Sequence, residues 1–529
     1  MVEDVNTGGA ARPVTGRKWH QHLTSWLFRY HRWFGVVSCV AVMLWGASGV
    51  MHPIMSRLNP TPVNPQPPQA APALHGALTP AEVLKRAGIV EVSGLRVLAW
   101  NDASYYQVSL PSQAQRRYFE VDSGNEVQDG DTKYAESLAR HFIGDTQGKV
   151  TGVSRLDQFD EEYMSINRLL PVYRVNFERD DGLRAYVETS PPRLSALVDN
   201  RKGILSWIFR VMHNWEFPVL QSWDTWDTTR MTLITALLSV ALLSALSGIW
   251  MYGFMWKRGT LQSFHLPLRR WHRGVGIAVS LSALLFVVSA EWHLLGSDKR
   301  GLPKNLGARI NTAQLELPDS VRHGSWGKIA LVQMDGRAYY HLLAVQKEKV
   351  DKAPATGDEH DHKLEAKPDE KKKSGGMQAV YMRADTGEVL EGTSSRNHAI
   401  WLAGQYSGLP AQQVTDVSII TKFEGEYGFF NKRLPVWRVD YATPEHLSYY
   451  VETSSGALAT VVRDSARMEG WSFSYLHKFH WLDFAGKDIR DFVMGLFGLG
   501  NLVIAVLGLW MFTRRYTKRS KIESEMKRA

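Results

Sequence analysis

Four apolar blocks interrupt this chain, at about Trp33–Met51, Met231–Trp256, Gly274–Trp292 and Phe492–Phe512. Each holds about 20 residues or more, the length a helix needs to cross about 30 Å of hydrocarbon. Inside a bilayer every backbone N–H and C=O must find its partner within the protein, which a helix provides. The pattern predicts a four-transmembrane-helix bundle, with spans at 30–53, 230–256, 272–294 and 490–513. The first block follows a basic leader, residues 1–29, and lacks an Ala-x-Ala cleavage site, so it reads as a retained span.

Basic residues set the expected orientation. Arg17, Lys18, Arg29 and Arg32 precede the first span; Lys257, Arg258, Arg269, Arg270 and Arg273 crowd the loop 257–271; Arg514, Arg515, Lys518 and Arg519 open the tail 514–529. With four spans these sites share one side, which the positive-inside rule makes cytoplasmic. The formal charge of +9 then reflects topology and contact with the lipid bilayer, and no nucleic-acid partner is expected. Cys39, the single cysteine, lies within the first span. No disulfide, thiolate pair or cysteine-based iron–sulfur site is available, so a redox centre would need other ligands.

A long-period duplication organises the chain. Asn167-Arg-Leu-Leu-Pro-Val-Tyr-Arg-Val-Asn-Phe leads to Tyr186-Val-Glu-Thr-Ser, and Asn431-Lys-Arg-Leu-Pro-Val-Trp-Arg-Val-Asp-Tyr leads to Tyr450-Val-Glu-Thr-Ser, 264 residues later. The same offset carries His213 onto His477. His31-Arg-Trp-Phe-Gly opens the first span and His272-Arg-Gly-Val-Gly the third, each with another histidine 21 positions on, His52 and His293. Spans two and four end alike, in Ser247-Gly-Ile-Trp-Met and Leu507-Gly-Leu-Trp-Met. The expected unit is span, external domain, membrane-proximal helix, span. Two such tandem repeats in series predict an approximate two-fold axis along the membrane normal.

Between the spans lie a proline-rich linker (54–80), an external domain (81–200), a membrane-proximal helix (201–229), a second external domain (295–463) and a second membrane-proximal helix (464–489). Alternating runs predict strands at Leu95–Trp100, Tyr105–Leu110, Arg117–Val121, Val172–Phe177 and Leu183–Glu188, with a helix near Lys133–Phe142. The second copy repeats them at Lys328–Met334, Ala338–Val345, Ala379–Arg383, Val436–Tyr441 and Leu447–Glu452, with a helix near Asn397–Tyr406. Both domains read as α+β. Residues 348–376 are dense in charge and almost without apolar side chains, which predicts a disordered insertion; His360 and His362 within it read as solvated.

Ionisable side chains inside a bilayer are costly, yet both odd-numbered spans are bracketed by histidines. On an ideal helix 21 residues rise about 31 Å and return to about 60° short of six full turns. His31 and His52 can therefore face one bundle interior at opposite levels, as can His272 and His293. Symmetry places His31 with His272 in one layer, and His52, His293, His213 and His477 in the other. Neutral imidazoles from two helices can ligate the iron of b-type haem. Gly35, Gly49, Gly248, Gly276 and Gly508 would let a large ring approach the backbone, and Trp45, Trp250, Trp292 and Trp510 could pack around it. Glu291 reads either as an acceptor for a ligand imidazole or as a solvated helix end. His480 has Glu216 as its counterpart, so symmetry does not support it as a ligand. His20, His22, His75, His141, His265, His323, His341 and His398 read as surface or interface residues. A proton relay would not need layered pairs, and zinc lacks a close Cys/His/Asp cluster.

The chain resembles the bacterial PepSY-associated transmembrane proteins, the iron-regulated inner-membrane family that includes siderophore-iron reductases. The resemblance rests on His31-Arg-Trp-Phe-Gly, the Pro-Val-Tyr/Trp-Arg-Val strands, the Tyr-Val-Glu-Thr-Ser segments, the His213 and His477 helices and the Gly-Ile/Leu-Trp-Met spans. It implies a haem-bearing four-helix core in the bacterial inner membrane, PepSY-like α+β domains in the periplasm, and outward electron transfer to ferric iron in a siderophore. It further implies iron-ligating roles for His31 and His272 on the cytoplasmic side and for His52, His213, His293 and His477 on the outer side. In the outer layer, pairing His52 with His293 gives one haem; pairing His52 with His213 and His293 with His477 gives two. The expectation is thus a transmembrane ferric-siderophore reductase with two or three haem b groups per chain. Its donor would be a cytoplasmic reductase or a membrane quinol, and its acceptor a ferric siderophore or another periplasmic oxidant. No glycine-rich nucleotide fingerprint, catalytic triad or His-Glu-x-x-His motif is present. Two rival readings are a PepSY-type partner-binding or regulatory protein and a haem or iron-siderophore transporter.

Overall fold

The computed structural model describes residues 15–111, 113–220, 225–255, 267–296, 306–344, 379–390 and 394–526. The charged insertion 348–376 with His360 and His362, residues 257–266 of the basic loop, and residues 1–14 of the N-terminal leader lie outside the described residues. In chain order the first half runs α1 (Thr15–Arg57), α2 (Pro80–Arg86), β1 (Glu91–Val92), β2 (Gly94–Trp100), β3 (Ala103–Ser109), β4 (Arg117–Glu120), α3 (Gly130–Ile143), β5 (Val150–Leu156), β6 (Val172–Phe177), β7 (Arg184–Thr189), β8 (Pro192–Val198), α4 (Asn200–Phe209) and α5 (Trp226–Met255). The second runs α6 (Pro267–Gly296), β9 (Ile310–Asn311), α7 (Asp319–Arg322), β10 (Trp326–Met334), β11 (Arg337–Ala344), β12 (Val380–Arg383), β13 (Val389–Leu390), α8 (Ser394–Ser407), β14 (Val414–Ile420), β15 (Val436–Tyr441), β16 (Ser448–Glu452), β17 (Ala457–Val462), α9 (Asp464–Ser472) and α10 (Lys487–Met526).

Two compact units emerge. One gathers residues up to Ile54, Ser206–Ser297 and Glu469 onward; the other holds Met55–Leu205 and Asp298–Met468. The first contains four helices long and apolar enough to cross a membrane, Trp26–Arg57, Trp226–Tyr252, Pro267–Gly296 and Lys487–Thr517. The protein is a multi-pass membrane protein with separate soluble β-sheet structure.

The membrane helices meet through small and polar side chains, as expected where lipid removes the hydrophobic drive for association. Helices α1 and α10 come close at paired glycines: a Cβ on Gly46 would lie 2.9 Å from the Gly498 carbonyl oxygen. Helices α5 and α6 are tied by Ser239, which donates to Glu291 at 2.6 Å. Helices α6 and α10 meet where Asn501 approaches the Ser282 hydroxyl at 3.4 Å. Trp250, Trp292 and Trp510 are each about half exposed, on faces available to lipid. Trp510 carries the Arg514 guanidinium 4.9 Å above its ring.

In the soluble unit the two segments read as separate domains share one sheet. Its strand order is β13-β12-β11-β10-β2-β3-β4. Each segment supplies a meander, and equivalent edge strands pair antiparallel, Leu95, Arg96 and Val97 against Leu331, Ala330 and Ile329. An unpaired edge is a liability, and this pairing closes both at once. The alternating pattern of each meander was legible; its closure against the other copy was not. Two four-stranded sheets, β5-β6-β7-β8 and β14-β15-β16-β17, and the two-stranded pair β1-β9 complete the unit. Helix α3 packs on the first through Tyr134, Leu138 and Phe142, and α8 on the second through Ala399, Leu402 and Ala403. The expected strands and helices appear within a few residues of their predicted limits. Strands β5, β8, β14 and β17 were not read: β17 is almost wholly buried, so its sequence has no polar alternation.

Candidate functional site

All six histidines singled out by the repeat fall in the membrane unit. Two pairs come together ring against ring. His31 on α1 and His272 on α6 have ring centroids 6.4 Å apart at 63°. His213 and His477 have centroids 6.3 Å apart at 85°. Helix α4 continues into a π-helical turn, Arg210–Asn214, and α9 into another, Phe473–His477. Such turns are rare and gather at functional sites; here each carries one histidine of the pair. Two residues beyond each histidine the chain reverses at a bulky residue in the left-handed region, Trp215 (φ 57°) and Phe479 (φ 54°). Each of these rings stacks on a span aromatic, Trp215 on Trp45 at 5.7 Å and Phe479 on Phe286 at 5.2 Å, which holds the unfavourable conformation in place.

Hydrogen bonds fix the tautomers. Ser48 donates its hydroxyl hydrogen to the Trp45 carbonyl at 3.0 Å, so at 2.9 Å its oxygen accepts from Nδ1–H of His213. Ser289 likewise donates to the Leu285 carbonyl at 2.6 Å and accepts from Nδ1–H of His477 at 3.1 Å. His31 Nδ1 lies 3.0 Å from the Ser244 carbonyl oxygen and 3.1 Å from Ser247 Oγ. A carbonyl can only accept, so Nδ1 carries the hydrogen. In all three the remaining nitrogen, Nε2, keeps a lone pair, the state a metal requires of a neutral imidazole. His272 differs: its buried Nδ1 has no hydrogen bond of standard geometry, only a loose interaction with the Ile504 backbone.

The ring separations fit one iron between each pair. An imidazole nitrogen binds a metal at about 2 Å, so rings this close can both reach one ion. Gly248 and Gly508 flank the first pair. A Cβ at Gly248 would stand 3.2 Å from His31 Cε1, and one at Gly508 3.5 Å from His272 Cε1. Gly35 faces Ser244 and Gly276 faces Ile504, one turn along from the histidines, whereas Gly49 has nothing within 4 Å. Among the described residues no three His, Cys, Asp or Glu side chains gather as a metal-holding group. A two-imidazole site matches an iron whose other four ligands come from a macrocycle better than it matches tetrahedral zinc.

The rings of His52 and His293 each meet a phenylalanine of a membrane-proximal helix. Phe209 intervenes between His52 and His213, at 5.6 and 4.8 Å. Phe473 intervenes between His293 and His477, at 4.7 and 4.8 Å. His293 Nδ1 instead bonds Glu469. Glu291 takes a hydrogen bond from Ser239. Trp45 packs beside the outer pair and donates to the His213 carbonyl at 3.1 Å; Trp250, Trp292 and Trp510 are about half exposed. His341 and His398, read as surface or interface residues, are 3% and 1% exposed. Ser48, Ser289, Phe209, Phe473 and Glu469 were missed. The first four were detectable, because they sit in register in the two copies beside the histidines.

No family model matches the chain, and no curated protein matches it.

Proposed function

We propose that the membrane unit holds two b-type haems, one between His31 and His272 and one between His213 and His477, and conducts electrons across the bilayer. The observation that carries this reading is the pair of ring separations, 6.4 and 6.3 Å, close enough for both imidazoles of each pair to reach one iron. A bis-imidazole haem supplies reversible one-electron exchange between Fe(III) and Fe(II).

The chain's own residues do the rest. Ser48, Ser289 and Ser244 orient three imidazoles and raise the basicity of Nε2. Gly248 and Gly508 keep the helix surface low beside the first pair. Phe209 and Phe473, stacked flat on His213 and His477, shield the second pair from water. Along α1, His31 and the His213-bonding Ser48 are about 25 Å apart at 1.5 Å per residue, closer than the 31 Å between His31 and His52. The relay is correspondingly shorter than one ending at His52.

The resemblance supplies the rest of the assignment: a bacterial inner membrane, cytoplasmic termini, a PepSY-like periplasmic unit and ferric siderophore as acceptor. The donor is a cytoplasmic reductase or a membrane quinol. One electron passed to siderophore-held Fe(III) gives Fe(II), which hard oxygen ligands bind weakly, so the metal is released. The test is a pyridine-haemochrome count and reduced-minus-oxidised spectra on the full-length protein in detergent, followed by stopped-flow mixing of the reduced protein with a ferric hydroxamate. Two haems per chain and re-oxidation by the ferric complex are expected. Protein made with ample haem that carries none would overturn the reading in favour of the partner-binding or transport alternatives.

A further inference from the structure

The seven-stranded sheet packs apolar side chains on both faces, but one face carries a polar row at its centre. Leu95, Val97, Tyr106, Ile329, Leu331, Tyr340 and Leu342 belong to the core on one side. On the other, strand register lines up a row across six strands: Tyr118, Gln107, Arg96, Ala330, His341 and Tyr381. The row is self-similar about its centre, tyrosine against tyrosine and Gln107 against His341, except at the middle. There Arg96 faces Ala330, so a long cation stands beside a residue that fills almost none of its place.

Four cations share this region. Arg193 bonds Glu452 at 2.5 Å and Arg433 bonds Glu452 at 2.9 Å and Glu188 at 3.1 Å. Arg96 interacts with the charges of Glu452, Arg193 and Glu188, and Lys328, two residues before Ala330 on the same face, with those of Arg96, Glu452 and Arg193. Glu452 is held by Arg193 and Arg433, while Glu188 bonds Arg433 through Oε1 and keeps Oε2 without a hydrogen bond, 3.4 Å from Arg193 Nε. Asp131, further along the row, is held by Tyr118, Tyr173 and Thr189 and lies near Arg116. Arg96 and Lys328 therefore bring two uncompensated positive charges. Two nitrogens are also buried without a hydrogen bond: Arg96 Nη1 and His341 Nδ1. Unneutralised cations and unpaired polar atoms away from water are expensive.

We propose that the centre of this row, at Ala330, is a binding site for a small oxyanion carrying about two negative charges, held by Arg96, Lys328 and His341. An arginine beside a second cation is the usual recognition chemistry for such groups. Gln107 Oε1, also buried without a partner, can accept from a protonated oxygen, as monohydrogen phosphate offers. The ligand is either a free ion or an oxyanionic group on a larger molecule. This site lies in the soluble unit and stands independently of the haem reading.

The test uses full-length protein in detergent, titrated with sodium phosphate, sodium malonate and citrate against sodium chloride at matched ionic strength. Unfolding temperature and calorimetric heat are read. A saturable rise in unfolding temperature with phosphate or malonate, absent with chloride, is expected. Phosphate alone points to a free ion; citrate binding more than tenfold tighter points to a larger carboxylate ligand. Arg96→Gln should abolish the saturable shift. Ala330→Leu, which removes no charge but adds bulk at the centre of the row, should abolish it too, so a folding defect in one variant leaves the other decisive. Equal response to phosphate and chloride in the native chain, as ordered water there would give, overturns the proposal. So does an unchanged phosphate titration in both variants.

Discussion

The two halves of the chain agree in one place and part in another. Around the outer histidine pair they match residue for residue: Ser48 and Ser289 hold the imidazoles, Phe209 and Phe473 stack on them, and Trp45–Trp215 answers Phe286–Phe479. At the junction of the soluble sheets they differ. Glu188 and Glu452 are equivalent, but Arg433, which bonds both, stands opposite Leu169 in the first copy. Arg96 stands opposite Ala330, and His398 opposite Tyr134. A group held between two imidazoles needs the same surroundings from each half. A group on the axis needs only one donor that reaches both. Symmetry therefore marks what is shared across a pair, and its breach marks what a single side chain does for two.

The sharpest break of the comparison is at the histidines. His213→Ala or His477→Ala should each remove a whole haem, leaving one per chain by pyridine haemochrome, whereas His52→Ala and His293→Ala should leave two. The reverse result would return His52 and His293 to the ligand set and make the Phe209 and Phe473 separation irrelevant.

The next effect is on stability. Arg433 is 7% exposed, and Glu188 and Glu452 are 4% and 2% exposed. Arg433→Met leaves Glu188 and Glu452 with less cationic compensation and should cost roughly 3–5 kcal/mol, read by denaturant unfolding followed through a soluble-unit tryptophan. Leu169→Met, its counterpart, is a volume-conserving exchange and should cost less than about 1.5 kcal/mol. Similar losses at both positions would mean that the two sites are equivalent after all.

The same junction predicts a pH dependence. Burial opposes ionisation of Glu452, but Arg193 and Arg433 outweigh it and hold its pKa down to about 2. A depressed carboxylate contributes stability above its unfolded value, near 4.5, and loses it as pH falls toward 2. The contribution is about 3 kcal/mol at most, from about 1.4 kcal/mol per pKa unit. Burial, with Arg96 adding to it, pushes His341 down to about 4, and burial with His341 pushes His398 down to about 3. Both stay neutral when folded and take up protons on unfolding below about 6.5, so they too favour the folded state less as pH drops from 6.5 toward 3. Stability of the soluble unit should thus fall steadily below pH 6.5. In Glu452→Gln the fall below pH 4.5 should be shallower, and an identical slope would contradict the assignment.

The spans, the order of the meanders and the six histidines were legible because they follow from periodicity and from an internal offset. What escaped was every feature that depends on one copy meeting the other. The β2–β10 pairing leaves no trace in either strand, since Leu95-Arg-Val reads as an ordinary edge. His213 and His477 share a layer in any symmetric arrangement, but sequence could not show that Phe209 and Phe473 separate them from His52 and His293. Glu469 has Leu205 as its counterpart, so the repeat argued against it; its bond to His293 arises only where α9 meets α6.

The smallest expected effect concerns a breach inside the membrane unit. His31 has two oxygen neighbours at Nδ1, the Ser244 carbonyl and Ser247 Oγ, whereas Leu507 occupies the position equivalent to Ser247 beside His272. Ser247→Leu makes the first copy resemble the second. The Ser244 carbonyl at 3.0 Å still fixes the tautomer, so haem content should stay at two. Losing one acceptor makes the imidazole less electron-rich, which favours the ferrous state and raises the midpoint potential of that haem. One hydrogen bond of about 1 kcal/mol corresponds to roughly 40 mV for a single electron, and the retained carbonyl makes this an upper limit. Redox titration of the variant should show one midpoint moving up by less than that and the other unmoved. A shift in both would mean that the two pairs are coupled; a downward shift would mean that Ser247 acts as a donor to His31, and the tautomer assigned to His31 would be reversed.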